Sequence, residues 1–317
     1  MRRILLTGSG YTPEHFARLE ALAFEVIHEV EIAPERFRSL LPTVDAHILG
    51  GSERLDSAAI ASATRLRVIS FVGTGYGAFV NEAAARARGI EILNTPGVMA
   101  QDVAEHTVGL LLGLARGLFA QNEAVKRPGS CPQSTLGLAN TVVGIVGMGA
   151  IGSRVARILT IGFGCKTLYT SRSRKAALEN ELGLEFFNLD ELFAAADAVL
   201  LLLPTTPETT NLVNEYRLSI ARPGFFLINT ASAQLVEPKA LRRALECGQV
   251  AAAAFDGYWA EPLPEPVSDP YGILALPDSR FVVTPHTAAK SSGTWSRMVD
   301  MAVDNVARAF ELDQVVL

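Results

Sequence analysis

The sequence predicts an α/β protein made of two doubly wound parallel-sheet domains. Three observations point there. Residues 141–154 read TVVGIVGMGAIGSR, in which a β-branched run (Val142, Val143, Ile145, Val146) leads into G-x-G-x-x-G and then into a helical pattern over 153–159. On both sides of that stretch, short apolar runs alternate with patterns of helical period, the signature of a parallel sheet covered by helices on both faces. The length of 317 residues fits two domains, and 49% hydrophobic with 19% charged residues is the balance of a globular protein with ample core.

The glycine stretch has a physical logic. Gly147 permits the tight turn out of the strand, Gly149 lets a pyrophosphate approach the backbone, and Gly152 lets the helix pack closely on the strand. The free N–H groups at the helix start, with Ala150 and Ile151 in the turn leading to it, face the phosphates, aided by the helix dipole. A lone G-x-G-x-x-G is a weak signal. Here strand, glycines and helix follow in the required order.

In chain order, strands are expected at residues 3–6, 24–28, 46–49, 67–71 and 91–93, with helices at 14–23, 34–41, 57–63 and 81–88 between them. Asn94-Thr95-Pro96-Gly97 reads as a turn and a domain boundary. One long helix is expected over 101–120, then a polar loop over 122–134 containing Pro128-Gly129. Further strands are expected at 166–169, 198–202, 225–229, 251–255 and 280–284, and a last helix at 291–310. Ligands of an open α/β sheet bind at the carboxyl ends of the strands, which singles out residues 171–172, 203–204, 230–233, 256–261 and 285–286.

Other classes recede. The net charge of −5 leaves no basic face for nucleic acid. Cys131, Cys165 and Cys247 have neither metal-ligand spacing nor a pairing framework, so no metal is expected and a reducing cytoplasm fits. The opening MRRILLTGSG has too short an apolar run for a secretory signal and reads as a first strand. No apolar run has the length of a membrane span.

The loop after the second strand of the glycine unit speaks to the cofactor. An NAD site usually places Asp or Glu about 20 residues past the glycines, on the ribose 2′-hydroxyl. Here the chain reads Leu168-Tyr169-Thr170-Ser171-Arg172-Ser173-Arg174-Lys175, with hydroxyls and three cations instead. Arginine forks match phosphate oxygens. The expectation is NADP, with NADPH preferred over NADH and Ser171, Arg172 and Arg174 on the 2′-phosphate. The alternative is a solvated basic loop.

Over essentially its full length the chain resembles the D-isomer-specific 2-hydroxyacid dehydrogenases. The resemblance is carried by Gly73-Thr74-Gly75-Tyr76, Arg88-Gly89-Ile90, Asn94-Thr95-Pro96-Gly97, Val103-Ala104-Glu105-His106-Thr107, GMGAIG, Leu203-Pro204-Thr205-Thr206-Pro207-Glu208-Thr209, Asn229-Thr230-Ala231, Glu261-Pro262 and Thr284-Pro285-His286. It implies a Rossmann cofactor domain at 99–286 inserted into a flavodoxin-like substrate domain made of 1–98 and 287–317. It also implies homodimers formed largely through the cofactor domain. Cofactor contacts are implied for Thr107, Leu203, Pro204, Thr230, Ala231 and Asp256, the last on the nicotinamide carboxamide. The loop TSRSRK is similar to that of the NADPH-preferring glyoxylate and hydroxypyruvate reductases of the family.

The reaction so implied moves a hydride between nicotinamide and the carbon of a 2-keto or 2-hydroxy acid. Hydride arriving at a carbonyl carbon leaves negative charge on oxygen, and a proton has to be given there. His286 matches the family's acid/base, and histidine suits the task because its unperturbed pKa lies near neutrality. Glu261 matches the carboxylate partner that orients the ring and favours its protonated form. The other histidines, His15, His28, His47 and His106, read as surface or core residues.

The sequence departs from the family twice. After Asn229-Thr230-Ala231 the family has Arg-Gly, and that Arg binds the substrate's carboxylate and carbonyl; here the chain reads Ser232-Ala233. Serine gives one neutral hydrogen bond in place of a bidentate charged pair, a loss of about 2–4 kcal/mol for a carboxylate substrate. Gly77-Ala78-Phe79-Val80 is also more apolar than the acidic segment common there. Three readings stand. The substrate is a 2-keto acid of the glyoxylate or hydroxypyruvate class, held by backbone N–H groups around Gly50, Gly51, Ser52, Thr74 and Gly75 beside Tyr76. Or it lacks the carboxylate, in a pocket shaped by Ser232, Tyr76, Tyr258 or Trp259. Or the protein is a nucleotide-sensing partner with little turnover. Lys290 is a candidate replacement cation. Retention of both His286 and Glu261 favours an enzyme.

Overall fold

The computed structural model describes residues 1–127 and 135–311; Cys131 and the Pro128-Gly129 pair lie outside them. The chain divides into two compact units, Met1–Met99 with the segment from Lys290 onward, and Ala100–Ala289. The first unit opens with β1 (Arg2–Thr7), α1 (Pro13–Ala21), β2 (Phe24–Glu29), α2 (Pro34–Leu40), β3 (Ala46–Leu49), α3 (Ser57–Ser62), β4 (Val68–Phe71), α4 (Glu82–Ala87) and β5 (Glu91–Leu93). The second unit runs through α5 (Ala100–Ala115), α6 (Leu118–Val125), β6 (Val142–Val146), α7 (Ala150–Arg157), β7 (Lys166–Thr170), α8 (Ala176–Leu182) and β8 (Glu185–Phe186). It continues with α9 (Leu189–Ala195), β9 (Ala198–Leu201), α10 (Glu215–Ile220), β10 (Phe225–Asn229), α11 (Pro238–Cys247), β11 (Val250–Asp256) and β12 (Phe281–Thr284). The last helix, α12 (Ser292–Glu311), belongs to the first unit.

The first unit is a five-stranded parallel sheet in the order β2-β1-β3-β4-β5. Its inner strands β1, β3 and β4 are buried over most of their length because both faces are covered. On β1, Leu5 points to one face, where Phe37, Leu40, Ile60 and Ala85 of α2, α3 and α4 pack. Ile4 and Leu6 point to the other face, covered by Leu19 of α1 and by Val299, Val303, Val306 and Phe310 of α12. Full burial of one such side chain is worth roughly 1.5–3 kcal/mol. The apolar Phe79 and Val80 are absorbed here: Phe79 packs on Phe71 at 5.3 Å between ring centres and Val80 is buried beside Leu55.

The second unit is a seven-stranded parallel sheet, β12-β11-β10-β9-β6-β7-β8. One face holds Val199 and Leu201 with Leu192, Leu218 and Leu241 of α9, α10 and α11. The other holds Val143, Ile145 and Leu200 with Leu111, Val155 and Leu159.

Two local expectations fail for physical reasons. The helix expected over 101–120 is broken: α5 ends at Ala115, Gly117 takes a left-handed φ of 59°, and α6 leaves at 53° to α5. Phe119 folds back against Gly113, where a Cβ would collide with its ring. The helix after the glycines starts at Ala150, three residues earlier than its apolar pattern, and beyond Arg157 widens into a π turn over Ile158–Gly162. Among the described residues no single helix is long and apolar enough to cross a membrane.

Candidate active site

In the second unit the strand order reverses between β9 and β6, so the crevice at the carboxyl ends lies between Gly147 and the Leu203-Pro204 segment. Gly147 has φ +107°, and a Cβ there would collide with the Leu202 carbonyl. A Cβ on Gly152 would collide with the Gly147 carbonyl, whereas one on Gly149 would meet nothing within 4 Å. The two outer glycines are therefore dictated by packing, and the middle one leaves open space before the first N–H groups of α7. That combination fits a pyrophosphate over Gly149, Ala150 and Ile151.

The loop after β7 is braced from beneath. The Tyr169 hydroxyl accepts the Lys175 N–H (2.6 Å) and donates to Glu179 Oε1 (2.5 Å). Arg174 gives two hydrogen bonds to Glu179 (3.1 and 2.6 Å) and lies 5.6 Å from the centre of the Phe186 ring. The hydrogen bonds from Arg174 and then Tyr169 hold the Glu179 carboxyl below its usual pKa. Arg174, though exposed, is thus already paired within the protein, which the sequence did not reveal. Ser171 Oγ donates to the Ser173 carbonyl (2.7 Å), and Arg172 is exposed with no side-chain partner among the described residues.

Thr107 and Thr230, expected at the cofactor, are joined to each other: their hydroxyls lie 2.6 Å apart, both buried. Thr107 donates to the Val103 carbonyl (2.6 Å), so Thr230 donates to Thr107. The buried Asn229 amide folds the next turn, accepting the Ala231 N–H (3.1 Å) and donating to the Ser232 carbonyl (2.8 Å). Half-buried Ser232 turns its Oγ to the Gln234 N–H (3.3 Å), which caps the short 3-10 turn Ala233–Leu235. Tyr258 and Trp259 are equally occupied. The Tyr258 hydroxyl donates to Asp269 (2.7 Å), and Trp259 Nε1 to the Val236 carbonyl (3.0 Å). Burial, and then the Asp269 carboxylate, pushes the Tyr258 phenol pKa up.

His286 follows β12 and Glu261 follows β11, adjacent parallel strands. His286 Nδ1 lies 3.0 and 3.2 Å from the two Glu261 oxygens. A carboxylate only accepts, so Nδ1 carries the hydrogen and Nε2 is left free. His286 has φ 54°, a left-handed backbone that few non-glycine residues adopt. Gly257, at φ 96°, makes room for the pair, since a Cβ there would stand 2.7 Å from Glu261 Oε1.

Asp256, 4% exposed, holds the turn that carries His286. Its carboxylate takes the Thr284 hydroxyl (2.6 Å), the Thr287 N–H (2.8 Å) and the Ala288 N–H (2.8 Å). Thr284 Oγ1 in turn accepts from His106 Nε2 (3.0 Å). His106, which reads as a core or surface residue in the sequence, belongs to this network. No short spacing could have announced it, because it lies on α5.

In the first unit, β3 and β4 are neighbours and their following loops leave side by side. The Gly50 N–H donates to Thr7 Oγ1 (3.3 Å), so it faces inward. Among the described residues the N–H groups of Gly51, Ser52, Thr74 and Gly75 have no protein acceptor. The second loop is stitched by the Gly73 N–H to Thr95 Oγ1 (2.9 Å) and Asn94 Nδ2 to the Thr74 carbonyl (2.9 Å). Paired free amides of this kind suit an anion. Tyr76, half-buried, opens a 3-10 turn, Tyr76–Ala78, and Lys290 is exposed.

Comparison with known proteins agrees with this geometry. Residues 108–288 match the family described as "D-isomer specific 2-hydroxyacid dehydrogenase, NAD binding domain". The chain is 34% identical to a glyoxylate reductase of Pyrococcus furiosus over 93% of this chain and 88% of the relative. It is 36% identical to one of Thermococcus kodakarensis over 88% and 84% of the two. A crystal structure of a glyoxylate reductase from Paecilomyes thermophila superposes with a TM-score of 0.85 at 28% identity, covering 98% of this chain and 95% of that one. Similarity of this extent runs through both units, and the chain belongs to the D-isomer specific 2-hydroxyacid dehydrogenases, enzymes that work with a nicotinamide cofactor.

Proposed function

We propose that the protein is an NADPH-preferring reductase that converts a small 2-keto acid, of the glyoxylate or hydroxypyruvate class, to the 2-hydroxy acid. The observation that carries this is the His286–Glu261 pair, its Nδ1 occupied at 3.0 Å and its Nε2 free. Gly147, Gly149, Ala150, Ile151 and Gly152 would hold the cofactor's pyrophosphate, with Leu203, Pro204, Thr230, Ala231 and Thr107 around it. The nicotinamide, when bound, supplies the hydride. His286 gives its proton from Nε2 to the carbonyl oxygen as negative charge develops there. Glu261 fixes the ring's orientation and the position of its hydrogen. Asp256 sets the turn that presents His286, and one lone pair of its Oδ2 remains for a carboxamide N–H. The first unit serves as the substrate domain and takes the carboxylate on the free amides of Gly51, Ser52, Thr74 and Gly75, beside Tyr76. Gly50 supports that turn from within. Ser232, whose Oγ accepts the Gln234 N–H, keeps its hydroxyl hydrogen to offer the substrate. The same reading makes the enzyme a cytoplasmic homodimer joined through its cofactor unit, which sedimentation of the pure protein tests.

On the cofactor, Arg172 with Ser171 is the 2′-phosphate contact. Arg172→Asp is expected to lower kcat/KM for NADPH by about 10–100-fold relative to NADH, the range of one lost charge-assisted contact. Arg174→Ala should change the ratio less, because Glu179 already holds that side chain. An unchanged ratio in the Arg172→Asp variant removes the loop from the phosphate site.

The decisive experiment on the substrate is NADPH oxidation with a panel of 2-keto acids and matched aldehydes lacking the carboxylate, for wild type and Ser232→Arg. Preference of wild type for the keto acids supports backbone anchoring. Preference for the uncharged carbonyls, reversed by Ser232→Arg, assigns a different substrate class. Tight NADPH binding with no turnover on either set supports a nucleotide-sensing role.

A further inference from the structure

Beneath the turn at residues 50–52 lies a buried charged cluster that the reaction does not use. His47, fully buried on β3, donates from Nδ1 to the Leu5 carbonyl (3.1 Å). Its Nε2 stands 3.2 Å from Glu53 Oε1, an ion-pair contact off the line of an aligned hydrogen bond. The Glu53 side chain is 7% exposed and takes the Thr7 hydroxyl on the same oxygen. Thr7 Oγ1 is the acceptor of the Gly50 N–H. The second oxygen, Oε2, fills the space beside Gly51 where a Cβ would stand. One carboxylate is therefore tied through a hydroxyl to the first residue of the turn and packs under the second.

The surroundings favour an ionised carboxylate at this place. Burial pushes the Glu53 pKa up, but the neighbouring His47 ring, with the Thr7 hydroxyl, outweighs it and leaves the net shift downward. The Thr7 hydroxyl and the His47 ring both face Oε1, which as a carboxylate oxygen only accepts. With the Gly50 N–H drawn inward to Thr7, the Gly51 and Ser52 amides are the ones left without a protein acceptor among the described residues.

We propose that Glu53, braced by His47 and Thr7, is a positioning residue that fixes the 50–52 turn so that the Gly51 and Ser52 N–H groups receive the substrate's carboxylate. This rests on the reading that those amides hold the carboxylate. Glu53 touches neither substrate nor cofactor in this role; it acts through the turn.

The test is steady-state kinetics of the full-length enzyme with glyoxylate and with glycolaldehyde, an uncharged aldehyde of similar size, alongside thermal unfolding. Glu53→Gln and the milder, near-isosteric Thr7→Val are expected to raise KM for glyoxylate about tenfold, the effect of one weakened hydrogen bond. Their kcat should stay within about twofold, and glycolaldehyde KM should be unchanged. Ser52→Pro removes one amide directly and should raise glyoxylate KM similarly. If Ser52→Pro raises it and both other variants leave it unchanged, Glu53 does not position the turn and the proposal falls while the amide reading stands. If Ser52→Pro has no effect, the amide reading falls and takes the proposal with it. Equal rises for both aldehydes, or lower kcat with a lower unfolding temperature, overturn the proposal in favour of a purely structural role.

Discussion

Replacing His286 with asparagine is expected to lower kcat by about 10²–10⁴-fold, the usual contribution of a positioned general acid. NADPH binding should change by less than about twofold. Asparagine keeps a hydrogen-bonding group for Glu261 but has no titrating nitrogen, so the carbonyl oxygen has no proton donor in line. The glycine turn and the loop after β7, which carry the proposed cofactor contacts, stand on β6 and β7, whereas His286 follows β12. Steady-state turnover with a fluorescence titration of NADPH separates the two effects. Wild-type turnover in the variant would remove His286 from the chemistry.

Removing the Asp256 carboxylate should have an effect of comparable size through a different route. Asp256→Ala strands the Thr284 hydroxyl and the Thr287 and Ala288 N–H groups, which now share one acceptor. Hydrogen bonds to a charged group are worth about 1.5–3 kcal/mol, and stranded donors in a buried setting carry their own penalty. A loss of about 3 kcal/mol in unfolding free energy is expected in urea. Turnover should fall about 100-fold, because the strained backbone of His286, at φ 54°, is kept only by its surroundings. Asp256→Asn keeps one acceptor oxygen and should recover about half of the stability loss. Full turnover in the alanine variant would show that the turn holds its shape without the carboxylate.

Much of the fold is legible because the strands announce themselves. Runs such as Ile4-Leu5-Leu6 or Ala198 to Leu201 are apolar at every position, since each face of a parallel sheet meets helices. The two-residue edge strand β8, Glu185–Phe186, is exposed and carries no such run. The break at Gly117 is hidden because an apolar helical pattern continues across it; only the backbone reveals the left-handed residue. The glycine turn is readable because Gly147 and Gly152 answer local steric demands. Pairings across the sheet are not: Glu261 and His286 are 25 residues apart and meet only because β11 and β12 are neighbours. Arg174 reads as a free cation until Glu179 and Phe186 are seen beside it. His47 reads as plain core, and its charged partner Glu53 shows only when the strand order brings Thr7, Leu5 and the 50–52 turn together.

The interleaving of the two units bears on how the protein is made. Ala100–Ala289 is one continuous stretch, and every strand of its sheet has been synthesised by the time Thr284 is added. The first unit is different. Its five strands are complete at Leu93, but the face formed by Ile4, Leu6, Ile48 and Val68 is covered only in part, by Leu19 of α1, until Val299 to Phe310 of α12 arrive, some two hundred residues later. At the ribosome, the unit translated first is the last to be finished. During that interval an apolar sheet surface waits for its own chain's final helix, and nascent chains halted before α12 are the species a chaperone would be called on to shield.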